Sequence, residues 1–372
     1  MIKERIRGGL DKLQGAEGLL FFGHNGKEKS YGTIETSDGQ FIDGEPKEGP
    51  KGPYDRIIKF GCQNHTKGKI APVKRYTRGR SPNLTITGSE DESIKEALKS
   101  VSHLVNNSEH SHSNAEDRLV YQETIMPVFE KNTMELYEEL KKQGVLENNN
   151  YVICGPLRGG EFTIAALIYN AHKIGWDIPF DRIACYELKR VLMDNGELFI
   201  GARLGYWPDS GPGTVTVVAD DCIASDRSGM VTVQIAEEQA LGELANKKLG
   251  QMTEDERVMV IGRQKYRYPV MMVAAASQQG IMNLESKNAK VITGGAVYSL
   301  NDSLYLMRTS EEEGFTDEDF FVGDMGSWLG RLPEAYDDKA PWNKVRRELV
   351  NYWVSSNKLP KSLAKTNYCE WK

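Results

Sequence analysis

Cysteine and long apolar runs are both scarce in this chain. The five cysteines among 372 residues (Cys62, Cys154, Cys185, Cys222 and Cys369) are odd in number and widely spread. That spacing excludes a disulfide-stapled scaffold and makes reduced thiols the expectation. Cys62 and His65 have no second ligand pair at zinc spacing, and His110 and His112 lie in a polar stretch, so a structural zinc site is not expected. No apolar run approaches the roughly 18 residues of a membrane helix; the longest lies near Met271-Met272-Val273-Ala274-Ala275-Ala276. The opening Met1-Ile2-Lys3-Glu4-Arg5-Ile6-Arg7 carries no secretory-type apolar segment, which points to a cytoplasmic protein without a membrane. Internal repeats, Gly-x-Ser-x-Gly, Walker A and His-Glu-x-x-His patterns are missing as well. With 39% hydrophobic and 27% charged residues, wholesale disorder is excluded and a sizeable core is expected.

Charge is unevenly spread. The net charge is −6, which weighs against a general nucleic-acid binder. The first 80 residues hold 16 basic against 10 acidic side chains, and the remainder 31 against 43. A basic N-terminal part either faces something anionic or docks on its own acidic neighbour.

Texture divides the chain into four parts. Residues 1–80, with Leu19-Leu20-Phe21-Phe22 and Arg56-Ile57-Ile58-Lys59-Phe60 between Gly- and Pro-rich joints, read as a small basic β-rich domain. Residues 81–117 read as a polar linker able to hold one weak helix over Glu92–Leu104. From 118 to 335 strands and helices alternate. An amphipathic helix over Arg118–Gly144, bent at Pro127, precedes strands at Tyr151–Cys154, Arg182–Leu188, Thr214–Ala219, Val270–Ala275 and Lys290–Ile292. Helices are expected at Glu161–His172 and Met230–Leu249. Residues 336–372 form a C-terminal helical extension around Trp342–Ser355. Such alternation predicts an α/β fold with a mostly parallel sheet and helices on both faces. Ligands of these sheets sit beyond the carboxyl ends of the strands.

Two strand-to-helix loops carry the chemical signal. After Tyr151–Cys154 comes Gly155-Pro156-Leu157-Arg158-Gly159-Gly160, in which paired glycines and a helix N-terminus can cradle a pyrophosphate beside Arg158. The same residues also fit a tight turn with a surface arginine. After Thr214–Ala219 comes Asp220-Asp221-Cys222-Ile223-Ala224-Ser225-Asp226-Arg227-Ser228-Gly229. Adjacent carboxylates at the end of a buried strand are costly unless they meet hydroxyls, a cation or metal-bound water. The small polar residues behind them can wrap a phosphate, or simply cap the helix.

In this order the two loops resemble those of the type I phosphoribosyltransferases, over about residues 118–330. Asp220-Asp221-Cys222-Ile223-Ala224-Ser225 is similar to the family's acidic pair, two apolar positions and small-hydroxyl segment, and Leu157-Arg158-Gly159-Gly160 to its pyrophosphate loop. The resemblance implies a phosphoribosyltransferase-type sheet with a hood hairpin. It also implies transfer of a (phospho)ribosyl group from a pyrophosphorylated donor to a nitrogenous base, with Mg2+ held mainly by donor and water. Asp220, Asp221 and Arg190 would then be catalytic. Leu157, Arg158, Gly159, Gly160, Lys189, Arg203, Ala224, Ser225, Asp226, Arg227, Ser228 and Gly229 would bind the donor. Asp226 and Arg227 depart from the family's two glycines, and the anion beside the phosphate leaves room for an extended, ADP-ribose-type donor.

Asn195-Gly196 between apolar stretches is a hairpin signal, placing the hood over Lys189–Arg203. Gly205–Gly213, with two prolines, reads as mobile. Val322, Gly323 and Asp324 are similar to the base-binding segment of uracil phosphoribosyltransferases, though an aromatic turn under the last helix accounts for them equally well. Cys222 replaces an apolar residue and reads as packing. A non-catalytic sensor of phosphoribosyl pyrophosphate or a nucleotide, and a nucleic-acid-modifying transferase, stand as rivals. A homodimer is compatible with every one of these readings.

Overall fold

The computed structural model describes residues 41–42, 45–46, 56–62, 83–89, 91–106, 115–157, 159–192, 197–223, 227–285, 287–297, 299–300, 307–308, 329 and 340–359. Its centre is a parallel sheet of β2 (Leu84–Ile86), β9 (Lys290–Val297), β8 (Val270–Ser277), β6 (Val215–Ala219) and β3 (Tyr151–Cys154), side by side in that order. Every pairing along it is parallel. A short continuation of β6, β7 (Cys222–Ile223), pairs with Ala275 and Ala276 of β8. Beyond β3 the chain of β4 (Cys185–Leu192) runs alongside through the bridges Ile153–Ile183 and Pro156–Tyr186.

The strands read as nearly unbroken apolar runs because both faces of the sheet are covered. Against one face lie α1 (Glu92–Asn106), α2 (Ala115–Lys142), α3 (Gly159–Lys173) and α7 (Pro341–Ser355), meeting Tyr151, Ile153, Val217, Met272 and Ile292. Against the other lie α4 (Arg227–Leu241) and α6 (Gln278–Glu285), meeting Val152, Cys154, Val218, Met271 and Val291. α3 is apolar nearly all round because it is enclosed between sheet, α2 and α7. α2 runs through Pro127 as one continuous helix and ends where Gly144 takes φ +65°.

Residues 84–106 are no linker. β2 adds the edge strand next to β9, and Ile94, Leu98 and Val101 of α1 are buried in the core. Their polar composition hid them because only one stripe of α1 faces inward. From the N-terminal part, β1 (Arg56–Cys62) pairs antiparallel with β5 (Glu197–Tyr206), whose other edge pairs with β4. The basic N-terminal strand and the hairpin therefore share one three-stranded sheet.

Residues 205–213, expected to be mobile, are tethered. The Tyr206 hydroxyl donates to the Asp181 carbonyl, Asn150 Nδ2 to the Gly213 carbonyl, and Arg263 to the Pro212 carbonyl. Hydrogen bonds from three separate elements outweigh what two prolines and several glycines suggest. α5 (Glu254–Tyr266) was not foreseen, although Thr253 and Glu256 form a capping box at its start.

At the amino ends of the strands, Glu139 of α2 is largely buried and accepts from Tyr268 at 2.5 Å and from Lys290 at 2.6 Å. Burial alone raises the carboxyl's pKa, but these two bonds and the nearby cations outweigh it and hold it below the usual glutamate range. A depressed folded-state pKa contributes stability that is present above the unfolded value and lost as pH falls through the folded one. Glu139→Gln is expected to remove about 2 kcal/mol at neutral pH. The gap from wild type should close as pH drops through the carboxylate range, read from urea midpoints at stepped pH.

Candidate functional site

The connections of the sheet reverse direction at one place. From β3 the chain crosses by α3 to β4 on one side. It then returns through the β4–β5 hairpin to β6 on the other side, continuing outward to β8 and β9. α3 and α4 consequently leave β3 and β6 on opposite faces of the sheet. Such a reversal point, beyond the carboxyl ends of the strands, is the favoured ligand position of parallel α/β sheets. The described residues that follow β3 and β6 there, 155–157 with 159–160 and 220–223, belong to the two loops that the sequence singles out.

Asp220 and Asp221 interrupt β6 just as it leaves the core. The Asp220 amide donates to the Met272 carbonyl, and the Ala274 amide to the Asp221 carbonyl, so both residues stay anchored to β8. Pairing then resumes at Cys222. Each side chain folds onto the chain ahead of it: Asp220 Oδ1 accepts from the Asp221 amide at 2.9 Å and Asp221 Oδ1 from the Cys222 amide at 2.7 Å. Two half-buried carboxylates are thus held by their own backbone at the carboxyl end of β6. Next to them, burial pushes the Cys154 thiol and the Tyr186 phenol well above their ordinary ranges, and the Asp220 charge pushes both the same way. Both groups stay protonated at neutral pH. Cys222 is half-buried and packs on the core.

The first loop is built for close approach. A Cβ on Gly155 would stand 2.2 Å from the Ala219 carbonyl oxygen, and one on Gly160 would stand 2.8 Å from the Gly155 carbonyl carbon. Only glycine lets this loop lie against the end of β6, directly before Asp220. The Leu157 amide donates to the Tyr186 carbonyl, while its side chain is buried in the core. Gly159 and Gly160 form the first residues of α3 beyond the carboxyl end of β3, and the Gly160 amide donates to the Pro156 carbonyl at 3.1 Å. Gly155→Ala is expected to cost roughly 2 kcal/mol or more, since a fixed backbone carbonyl has to move. Thermal unfolding of the variant checks this; an unchanged melt would mean that the loop yields freely.

The β4–β5 hairpin rises past the carboxyl end of β3, because Tyr186 already lies level with Pro156. Lys189 and Arg190 sit on that rising strand, opposite Gly201 and Ile200. Arg203 pairs across the hairpin with Glu187, its Nη1 3.3 Å from Glu187 Oε2, and both side chains are largely buried. Its charge is engaged within the hairpin itself. Ser228 and Gly229 lie buried in the first turn of α4, which Arg227 begins. Arg158, Ala224, Ser225, Asp226, Val322, Gly323 and Asp324 lie outside the described residues, as do the side chains of Lys189, Arg190 and Arg227.

Three further features take their meaning only from the structure. Gly155 sets the approach of the two loops, and the glycine directly after a buried strand was its signal. The Tyr186 hydroxyl shares a 2.8 Å hydrogen bond with Thr232 of α4, tying the hairpin base to that helix. Glu161, in the first turn of α3, forms a fully buried ion pair with Arg346 of α7. No local pattern announces a pair separated by 185 residues.

The sequence matches no family model and no curated protein. Among solved structures the chain is similar to the AQ2163 protein from Aquifex aeolicus, at 15% identity and a TM-score of 0.39, over 67% of this chain and 98% of that one. A likeness this distant assigns neither family nor function.

Proposed function

We propose that this chain is a transferase of phosphoribosyltransferase type, moving a (phospho)ribosyl group from a pyrophosphorylated donor to a nitrogenous base with release of pyrophosphate. The observation that carries the reading is the position of Asp220 and Asp221, backbone-anchored carboxylates at the crossover of a parallel sheet. Gly155, after the neighbouring strand, packs against the carbonyl of Ala219, the residue directly before them. Carboxylates there suit ribose hydroxyls, and they stabilise positive charge that develops on the sugar as pyrophosphate departs. The start of α3 supplies N–H groups for the leaving anion, and Arg158 is its expected counter-charge. The β4–β5 hairpin, rising past the carboxyl end of β3, takes the role of hood, excluding water and holding the donor in place. Arg190 and Lys189 on β4 would bring positive charge to it.

Among the described residues, no group of three or more His, Cys, Asp or Glu side chains gathers as a metal nest. Two adjacent carboxylates fit an ion such as Mg2+ that the donor's pyrophosphate, ribose hydroxyls and water mainly hold. Bound there, the ion would supply charge neutralisation for the leaving pyrophosphate.

The test is pyrophosphate release from phosphoribosyl pyrophosphate and Mg2+, with and without a panel of purine and pyrimidine bases. Base-dependent release supports a transferase. Tight donor binding without release under any base points to a sensor, and absence of binding removes the reading. Competition between ribose 5-phosphate and ADP-ribose, each with pyrophosphate, reports whether the donor is extended beyond its 5-phosphate.

A further inference from the structure

α5 is apolar on the wrong side for a surface helix. Toward the body it turns Val260 and Arg263, the latter donating to Glu237 and to the Pro212 and Thr214 carbonyls, while Glu256 is bound by Lys247. Along the opposite side, steps of four, three and four residues bring Glu254, Val258, Ile261 and Lys265 into one line. Val258 is 66% exposed and Ile261 50%. Single exposed aliphatic residues need no explanation. A line of acid, aliphatic, aliphatic and base is more than that, because it reads as its own complement when reversed.

The centre of the line falls between Met259 and Val260. A twofold axis through that point lays a second α5 antiparallel on the first. Glu254 then faces Lys265 of the second copy, Val258 faces its Ile261, and both relations recur in reverse. This is the self-complementarity that an isologous contact requires. Gly262 flanks the line with open space where a Cβ would stand, which lets two helices approach closely. Neither Glu254 nor Lys265 is held in an ion pair among the described residues; Lys265 lies over the Tyr266 ring at 5.0 Å.

We propose that α5 is the contact of a twofold homodimer, pairing antiparallel with α5 of a second copy of this chain. Thirteen residues give a contact about 20 Å long, which by itself is smaller than a standard interface. The dimer is accordingly reversible and dependent on concentration. Arg263 fixes α5 to carbonyls that precede β6, at the end of that strand remote from Asp220.

Sedimentation velocity of the full chain across micromolar concentrations is expected to show exchange between monomer and dimer. Ile261→Asp abolishes the dimer without lowering the melting temperature, because the side chain is half exposed. Glu254→Lys and Lys265→Glu each weaken self-association about tenfold, since either change turns two attractive pairs into like-charge pairs. Mixed together, these two variants pair with each other, because every contact in the mixed dimer again joins opposite charges. A chain that stays monomeric, including one whose own segment covers this face, overturns the proposal. So does a dimer unmoved by Ile261→Asp, or a mixture that associates no better than either variant alone.

Discussion

Asp221→Asn is expected to lower the rate of pyrophosphate release at least tenfold while leaving the melting temperature unchanged. The substitution is isosteric. An asparagine Oδ1 accepts from the Cys222 amide as the carboxylate does, so the local fold of the strand end is retained. What disappears is one negative charge on a half-buried side chain at the carboxyl end of β6. Preorganised charges facing a developing cation are usually the largest single contribution to such reactions, and removing one group of this kind costs on the order of a hundredfold in well-studied enzymes. Tenfold is therefore a conservative threshold. Steady-state release assays and a thermal melt on the same preparation decide it. Unchanged turnover in a folded variant would take the acidic pair out of the chemistry, and with it the central support for the transferase reading.

The second large effect is expected in stability. Arg346→Met leaves the fully buried Glu161 carboxylate without its ion-pair partner, at a cost of about 3–5 kcal/mol. Arg346 also donates to the Leu329 carbonyl, and Gln122 binds that same carbonyl while accepting from Trp342 and Asn343, so the damage spreads through one connected network. Replacing both charges, as in Glu161→Leu with Arg346→Met, should recover much of the loss, because two apolar side chains leave no buried charge behind. Urea midpoints of the two single variants and the double variant form the cycle. If either single change costs less than about 1 kcal/mol, water reaches the pair and the network is not dry. Glu161 directly follows the glycine loop, so the Arg346 variant should also lose affinity for pyrophosphate.

The residues most legible in the sequence are those whose role is local. Tyr151–Cys154, Val215–Ala219 and Val270–Ser277 stand out as apolar runs between polar loops because each is covered on both faces. Asp220 and Asp221 stand out because two acids cannot follow such a run without a reason. Less legible were elements whose partners lie far off in sequence. Leu84–Ile86 is only three residues long inside a polar stretch, and only its pairing with Val291–Thr293 makes it a strand. α5 hides for a different reason: its inward stripe contains an arginine and its outward stripe two aliphatic residues, which inverts the usual pattern. Arg203 illustrates a third limit. Its charge and position suggest a ligand contact, and the register adds a partner that the sequence does not announce, Glu187 directly across the hairpin. Registers of this kind depend on pairing, which composition does not record.

The Glu161–Arg346 pair also sets an order of events during synthesis. Glu161 leaves the ribosome 185 residues before the arginine that neutralises it. At the usual elongation rates that interval is roughly 10 to 40 s. During this time burying the first turn of α3 would strand a charge, so its start is expected to stay hydrated. β9 and its neighbour β2 impose a similar wait, since Leu84–Ile86 must remain unpaired until Val291 is made. The nascent chain therefore carries a half-assembled sheet with two open edges for much of its translation. Chaperone dependence should accordingly fall on the growing chain and be small for the finished protein, and slowing translation late in the message should lower the soluble yield more than slowing it early.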